Sequence, residues 1–244
     1  MGSRRILVSD IDGTLVGDDG ALGRFAAWWA AHHDGHRLVY ATGRQLPSVE
    51  RLVATSDLPE PDAVISAVGT EIHDRHGRSW SGWTDRLADW DADAIRETLR
   101  IHSWLRPQED EAQTPAKVSY DVPRLGADDL ARVEGTLEAS GFDSIVVYSQ
   151  DLHLDILPAA AGKGNAAQFV AAGWGVAADD ILAFGDSGND IDLFRRGFHG
   201  TIVANAMPEL ASAVGPDVYR SPLAFADGVL DGIRHWSGAR VPSA

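Results

Sequence analysis

Short apolar runs alternate with amphipathic stretches through the first third of the chain. Residues 6–9 read as a buried strand, 22–33 as a helix, 37–41 as a strand and 47–55 as a helix with Pro47 in its first turn. Residues 63–66 read as a strand that runs into Val68-Gly69-Thr70. Strand–helix–strand units with short links predict a parallel sheet covered by helices on both faces. The final third repeats the pattern, with helices over 163–172, 191–195, 208–213 and 224–236 and strands over 181–184 and 201–204. No glycine-rich linker sets it apart, so both thirds are expected in one sheet.

The middle has another texture. From about Arg78 to Pro158 it holds two amphipathic helices, 92–105 and 127–140, and strands over 116–122, 144–149 and 152–157. The last two strands lie so close that only an antiparallel hairpin joins them. The predicted fold class is therefore α/β. A Rossmann-like parallel-sheet core (residues 1–77 and 159–244) carries an inserted small α+β cap (residues 78–158).

Composition narrows the function. At 244 residues the chain is long enough for one or two domains with a sizeable core. Acidic residues outnumber basic ones 36 to 21, a formal charge of −15, which argues against nucleic acid or an anionic membrane as partner. Cysteine is absent, so disulfides, thiol catalysis and thiolate metal sites are excluded. The apolar run after Met1-Gly2-Ser3-Arg4-Arg5 is too short for a signal peptide, and no segment reaches transmembrane length, so a cytoplasmic protein is expected. Of the 21 basic residues only Lys117 and Lys163 are lysines. A compact ammonium does what a planar guanidinium cannot, so both positions draw interest.

Candidate chemistry gathers where strands end, the place where ligands bind in open parallel sheets. The first strand leads into Asp10-Ile11-Asp12-Gly13-Thr14, and two carboxylates so close need a cation or a shared proton. The second leads into Thr42-Gly43-Arg44, where a hydroxyl, a glycine N–H and a guanidinium together suit a phosphate oxygen. Lys163 stands between glycines at a helix start, where the macrodipole disfavours a cation unless an anion lies nearby. The strand at 181–184 leads into Gly185-Asp186-Ser187-Gly188-Asn189-Asp190, an oxygen-rich set that favours Mg2+ over zinc. Taken singly, each motif has an ordinary reading as a helix cap, an acidic turn or an exposed lysine. Four in this order at successive strand ends do not.

This order of motifs resembles the haloacid dehalogenase superfamily of phosphohydrolases, over essentially the whole chain, with the cap placed as in its C2-capped members. A narrower resemblance, to the sucrose-phosphate phosphatase branch, lies in Val68-Gly69-Thr70-Glu71-Ile72, Pro115-Ala116-Lys117-Val118-Ser119-Tyr120, Leu154-Asp155-Ile156-Leu157-Pro158, Ala161-Gly162-Lys163-Gly164 and Val203-Ala204-Asn205-Ala206-Met207-Pro208-Glu209-Leu210. One departure is Gln150-Asp151, where the branch usually carries a glycine pair, with His153 soon after.

The resemblance implies hydrolysis of a sugar phosphate monoester, sucrose 6-phosphate first, through an aspartyl-phosphate intermediate. Asp10 would be the nucleophile and Asp12 the general acid and base. Asp10, Asp12 (through its backbone carbonyl), Asp186 and Asp190 would serve Mg2+. Thr42, Gly43, Lys163 and Asn189 would hold the phosphate, and Arg44, Glu71, Lys117, Gln150 and Asp155 the sugar. Lys117 is expected to face the sugar rather than solvent. The implied alternatives are a mannosylfructose-phosphate or other glycosyl-phosphate phosphatase, and a non-catalytic sugar-phosphate-binding partner of a glycosyltransferase. Asp10 together with Asp12 favours catalysis. The expected partners are a small-molecule sugar phosphate and a glycosyltransferase, with the chain a monomer or weak dimer. The tryptophans are expected to pack in the core or hinge, and His32, His33 and His36 to be exposed.

Overall fold

The computed structural model describes residues 5–238, so the ends of the two outer core segments, 1–4 and 239–244, lie outside the described residues. The first third forms β1 (Arg5–Ser9), α1 (Asp19–His32), β2 (His36–Ala41), α2 (Leu46–Thr55), β3 (Ala63–Ser66) and β4 (Glu71–Asp74). The middle forms α3 (Ser81–Thr84), α4 (Ala92–Leu99), β5 (Arg106–Pro107), β6 (Val118–Asp121), α5 (Ala127–Ala139), β7 (Ser144–Ser149) and β8 (His153–Pro158). The last third forms α6 (Lys163–Gly173), β9 (Ile181–Gly185), β10 (His199–Ile202), α7 (Pro208–Ala213), β11 (Tyr219–Arg220) and α8 (Phe225–Gly238).

As expected, the outer thirds share one sheet, in the order β11-β10-β9-β1-β2-β3-β4. Every pairing is parallel except β3 with β4. β1 carries three consecutive apolar residues, Ile6, Leu7 and Val8, because helices cover both faces. Ile6 and Val8 join one core cluster with Val170 of α6, while Leu7 joins the other with Leu22 and Phe25 of α1. The chain runs outward from β1 through β2 and β3 on one side and through β9 to β11 on the other. The carboxyl ends of β1 and β9 therefore flank the switch point where such sheets open a crevice.

The middle segment makes a four-stranded antiparallel sheet, β5-β6-β8-β7, closed by the hairpin pairing of β7 with β8 from Ser144↔Pro158 to Ser149↔His153. Alternation along the strands gives this sheet two faces. Val118, Tyr120, Leu154 and Ile156 pack under α4 and α5. Ser119, Asp121, His153 and Asp155, in register on neighbouring strands, lie on the opposite face. Trp80, Trp83 and Leu87, which fall inside the predicted cap range, pack with the large sheet's cluster, and both tryptophans meet Phe169 of α6.

Three predicted elements differ. The helix expected over 92–105 ends at Leu99, because β5 is drawn into pairing with β6. The helix expected over 191–195 is reduced to single turns at Gly188–Asp190 and Leu193–Arg195. There Asp192 Oδ2 accepts from the backbone amides of Gly164 and Asn165, which ties the segment to the first turn of α6. The strand expected over 201–204 is displaced toward the N-terminus, at His199–Ile202.

Candidate active site

Beyond the end of β1, Asp10 meets Asp186 and Asp190 from the loop after β9. All three are buried, and one carboxylate oxygen from each lies within 4.8 Å of the others. Lys163, at the start of α6, supplies the counter-charge. Its fully buried Nζ donates to Asp10 Oδ1 at 2.9 Å, Asn189 Oδ1 at 2.6 Å and Asp190 Oδ1 at 2.7 Å. Those acceptors offset the unfavourable potential of the helix start.

The loops are braced from behind. Thr14 Oγ1 donates to Asp186 Oδ1 at 2.9 Å. Asp190 Oδ2 accepts from the amides of Asp186 and Ser187. Asn205 Nδ2 donates to the Gly13 carbonyl at 2.7 Å. Gly13 has φ +80°, and a Cβ there would overlap the Asp186 carboxylate, so this position needs glycine on two counts. Gly69, at φ +87°, has the same need, since a Cβ would overlap the backbone of Gly162 and Lys163. Ala67 and Val68 beside it are also left-handed, at φ 49° and 58°. A β-branched residue is strained there. Their amides donate to the carbonyls of Arg44 and Thr42, which ties the second motif to the turn after β3.

Three carboxylates around one ammonium leave the cluster short of positive charge. Burial pushes Asp10 well above the usual carboxylate range, with Lys163 pulling against it and Asp190 and Asp186 adding to it. Asp186 is pushed up to about 7, by burial and then by Asp190. Burial alone would lower the Lys163 ammonium, but Asp10 and Asp190 hold it above its ordinary value. Buried, repelling oxygen donors of this kind suit a hard divalent cation.

Asp12 stands apart from that cluster. Arg44 donates to both its oxygens, from Nε at 2.6 Å and from a terminal nitrogen at 2.7 Å, and its other terminal nitrogen donates to Ser48 Oγ at 2.9 Å. The Asp12 side chain is thus engaged by Arg44 and lies outside the acid cluster. Arg44 itself lines one cavity with Asp10 and Asp12, its guanidinium engaged by this carboxylate.

Of the cluster, Asp10 reaches a cavity of about 780 Å3, whose core side Asp12, Thr42, Gly43, Arg44 and Asn189 also line. Lys117, Gln150, His153, Asp155 and Gln108 line the cap side. Lys117 is buried, with Nζ 3.3 Å from Asp155 Oδ1, and Ser119 Oγ donates to the same oxygen. Glu71 does not line this cavity. As the partner of Ser66 in the β3–β4 pair, it accepts from Ser66 Oγ at 3.0 Å and lies 3.3 Å from His73 Nε2. His73, then Ser66 and Lys117, hold its carboxyl below the ordinary value against the effect of burial. Gln108 was not legible as a site residue, because it lies in a polar, non-periodic loop. Thr14 and Asn205 were visible only as members of longer motifs.

The α/β fold and the strand-end acid cluster agree with the class that comparison with known proteins shows, a phosphoric monoester hydrolase of the haloacid dehalogenase superfamily. The fold alone is shared with a Thermoplasma acidophilum protein at a TM-score of 0.72 and 17% identity, over 97% of this chain and 99% of that one. The model of the sucrose-6F-phosphate phosphohydrolase family matches residues 3–237, and the chain belongs to that family. It is 36% identical to a mannosylfructose-phosphate phosphatase of Agrobacterium fabrum, over 95% of this chain and 96% of that one. With sucrose-phosphatase 1 of Nicotiana tabacum it shares 34% identity over 96% of its own length but only 60% of the tobacco protein. The sucrose-phosphatase of Synechocystis sp. PCC6803, solved with sucrose and phosphate, superimposes with a TM-score of 0.93 at 32% identity, covering 97% of this chain and 99% of that one. No helix among the described residues is long and apolar enough to cross a membrane.

Proposed function

We propose that this chain is an Mg2+-dependent phosphatase of a disaccharide phosphate, with sucrose 6-phosphate the first candidate, acting through an aspartyl-phosphate. The observation that carries this reading is the Lys163–Asp10–Asp186–Asp190 cluster, whose Asp10 lines one cavity together with a polar cap wall. Asp10, Asp186 and the Asp12 carbonyl would hold the ion, with Asp190 behind them fixed by Lys163 and two amides. When bound, Mg2+ neutralises charge so that an anionic nucleophile and an anionic phosphate can meet.

Asp10 attacks phosphorus, the bond to the sugar oxygen breaks, and Asp12 protonates that oxygen as it leaves. Asp12 then takes a proton from water, whose oxygen attacks phosphorus and releases Asp10 and inorganic phosphate. Lys163, the Thr42 hydroxyl and the Gly43 N–H hold the phosphoryl oxygens as charge redistributes. Asn189 Oδ1 accepts from Lys163 while its Nδ2 lies beside Gly43, so the amide donates from that side.

Mannosylfructose phosphate is the second reading. The Agrobacterium relative matches along nearly its full length, and the cap hairpin carries Gln150-Asp151. Phosphate release with Mg2+ from sucrose 6-phosphate, mannosylfructose phosphate, glucose 6-phosphate, fructose 6-phosphate and an aryl phosphate separates these, with Asp10→Asn as the blank. A lead of orders of magnitude for either disaccharide phosphate identifies the substrate. No release from any of them overturns the reading.

A further inference from the structure

We propose that His153 sets sugar preference in this hydrolase by hydrogen-bonding a hydroxyl of the leaving sugar through Nε2, with Asp121 and Gln108 as its positioning residues. The inference rests on the sugar-phosphate reading of the cavity above and deepens it.

His153 opens β8 on the strand face turned away from α4 and α5, and it lines the same cavity as Asp10 and Asp12. Its ring is held from one side only. Nδ1 lies 3.1 Å from Asp121 Oδ1 and 2.8 Å from Gln108 Nε2, and Gln108 Nε2 also donates to Asp121 Oδ1 at 2.8 Å. Asp121 faces His153 across the β6–β8 pair, so sheet register itself sets this geometry.

Nδ1 therefore has an acceptor and a donor within reach. With a proton on Nδ1 the ring donates to Asp121, and Nε2 is an acceptor. With the proton on Nε2, Nδ1 accepts from Gln108, and Nε2 is a donor. The ring stays in place in either tautomer. Its Nε2 has no hydrogen-bond partner among the described residues, and the side chain is 36% exposed. A hydroxyl both donates and accepts, so it can meet either tautomer, which a carboxylate or an ammonium cannot. Fixing the ring before the ligand arrives lowers the ordering cost of the new bond.

Lys117 and Asp155 on the same wall are differently placed. They already face each other in a buried pair, so their bonds to a ligand compete with an existing one. His153 also stands just after the turn at Gln150-Asp151, so the departure from the family pattern and the free imidazole nitrogen share one end of the cavity.

The test compares kcat/KM for the leading disaccharide phosphate with that for p-nitrophenyl phosphate, whose leaving group carries no sugar hydroxyl. His153→Ala is expected to lower the sugar-to-aryl ratio by about tenfold to a hundredfold, mostly through KM. His153→Gln, which keeps a donor and an acceptor, is expected to recover part of the loss, and Asp121→Asn to lower the ratio less than His153→Ala. In the Asp10→Asn protein, the His153 imidazole 15N resonances are expected to shift on adding the sugar phosphate and not on adding p-nitrophenyl phosphate. An equal loss on both substrates would mean a structural role and overturn the inference, as would an unchanged ratio. A wild-type enzyme that hydrolyses the aryl ester but no sugar phosphate would overturn the substrate reading and this inference with it. Sugar activity in the wild type with an unmoved ratio in the variants overturns this inference alone.

Discussion

The two walls of the cavity are built on opposite plans. On and behind the core wall the charged side chains are held by protein before any ligand arrives. Lys163 is completely buried with three acceptors, Asp190 is held on both oxygens, and Asp12 is clasped by Arg44. On the cap wall Lys117 and Asp155 are paired, but His153 Nε2 has no partner among the described residues, and the Gln150-Asp151 turn adopts left-handed backbone at φ 55° in both residues. Preorganised charge in a buried setting lowers a chemical barrier, because nothing has to reorient during the reaction. Partly free polar atoms do little for the barrier but can discriminate between sugars. The core wall is thus suited to one chemistry and the cap wall to choosing what undergoes it.

The strongest way to break this comparison is at Lys163. Lys163→Met is expected to cut phosphate release about a thousandfold from sugar and aryl phosphates alike. It also leaves buried carboxylates without their counter-charge, so chemical denaturation of the metal-free protein is expected to show a loss of about 3–5 kcal/mol. A loss confined to sugar substrates would contradict the division between walls.

Next comes the seam between the walls. A Cβ at Gly188 would overlap the Tyr148 carbonyl oxygen, so Gly188→Ala pushes the cap hairpin away from the loop that carries Asn189. Hydrolysis of the disaccharide phosphate, which needs both walls, is expected to fall by about tenfold or more, and that of p-nitrophenyl phosphate by less. Parallel kinetics on the two substrates check this.

A smaller effect sharpens the account of the acid cluster. Asp186 is raised from 3.8 to about 7 in the folded protein, so between those pH values the native state binds more protons than the unfolded chain. This contribution therefore lowers stability as pH rises through that window. The melting temperature of the metal-free protein is expected to fall across it. Mg2+ is expected to raise the melting temperature more at about pH 8 than at about pH 5, because the ion competes with protons for the same oxygens. Calorimetry over a pH series with and without Mg2+ measures both.

The smallest effect lies in the hairpin. Gln150 adopts φ 55°, which glycine accepts without steric cost, so Gln150→Gly is expected to stabilise the fold by up to about 1 kcal/mol, read as a thermal shift of about 2–4 °C.

Much of the core wall was legible in the sequence. Asp10, Asp12, Thr42, Lys163, Asp186 and Asp190 all stand next to short apolar runs or at a helix start, and buried parallel strands announce themselves by such runs. The β7–β8 hairpin was legible too, since three residues leave no other connection. Where side chains went was harder to read. Arg44 lines the cavity as its motif suggested but also reaches a carboxylate 32 positions away, and Glu71 turns to Ser66 and His73 and does not line the cavity. The turns around Asp192 replaced a helix because that carboxylate caps another helix 28 positions earlier.

The sequence by itself determined the fold class, the order of strand-end motifs and the chemistry they imply, because hydrophobic period and local spacing are properties of neighbours along the chain. Only the tertiary structure decided which carboxylates share a site, which cation each one holds and which cap atoms remain free. Those outcomes depend on competition among charged and polar groups brought together from distant segments, where burial strengthens every pairing and leaves each unmet group costly.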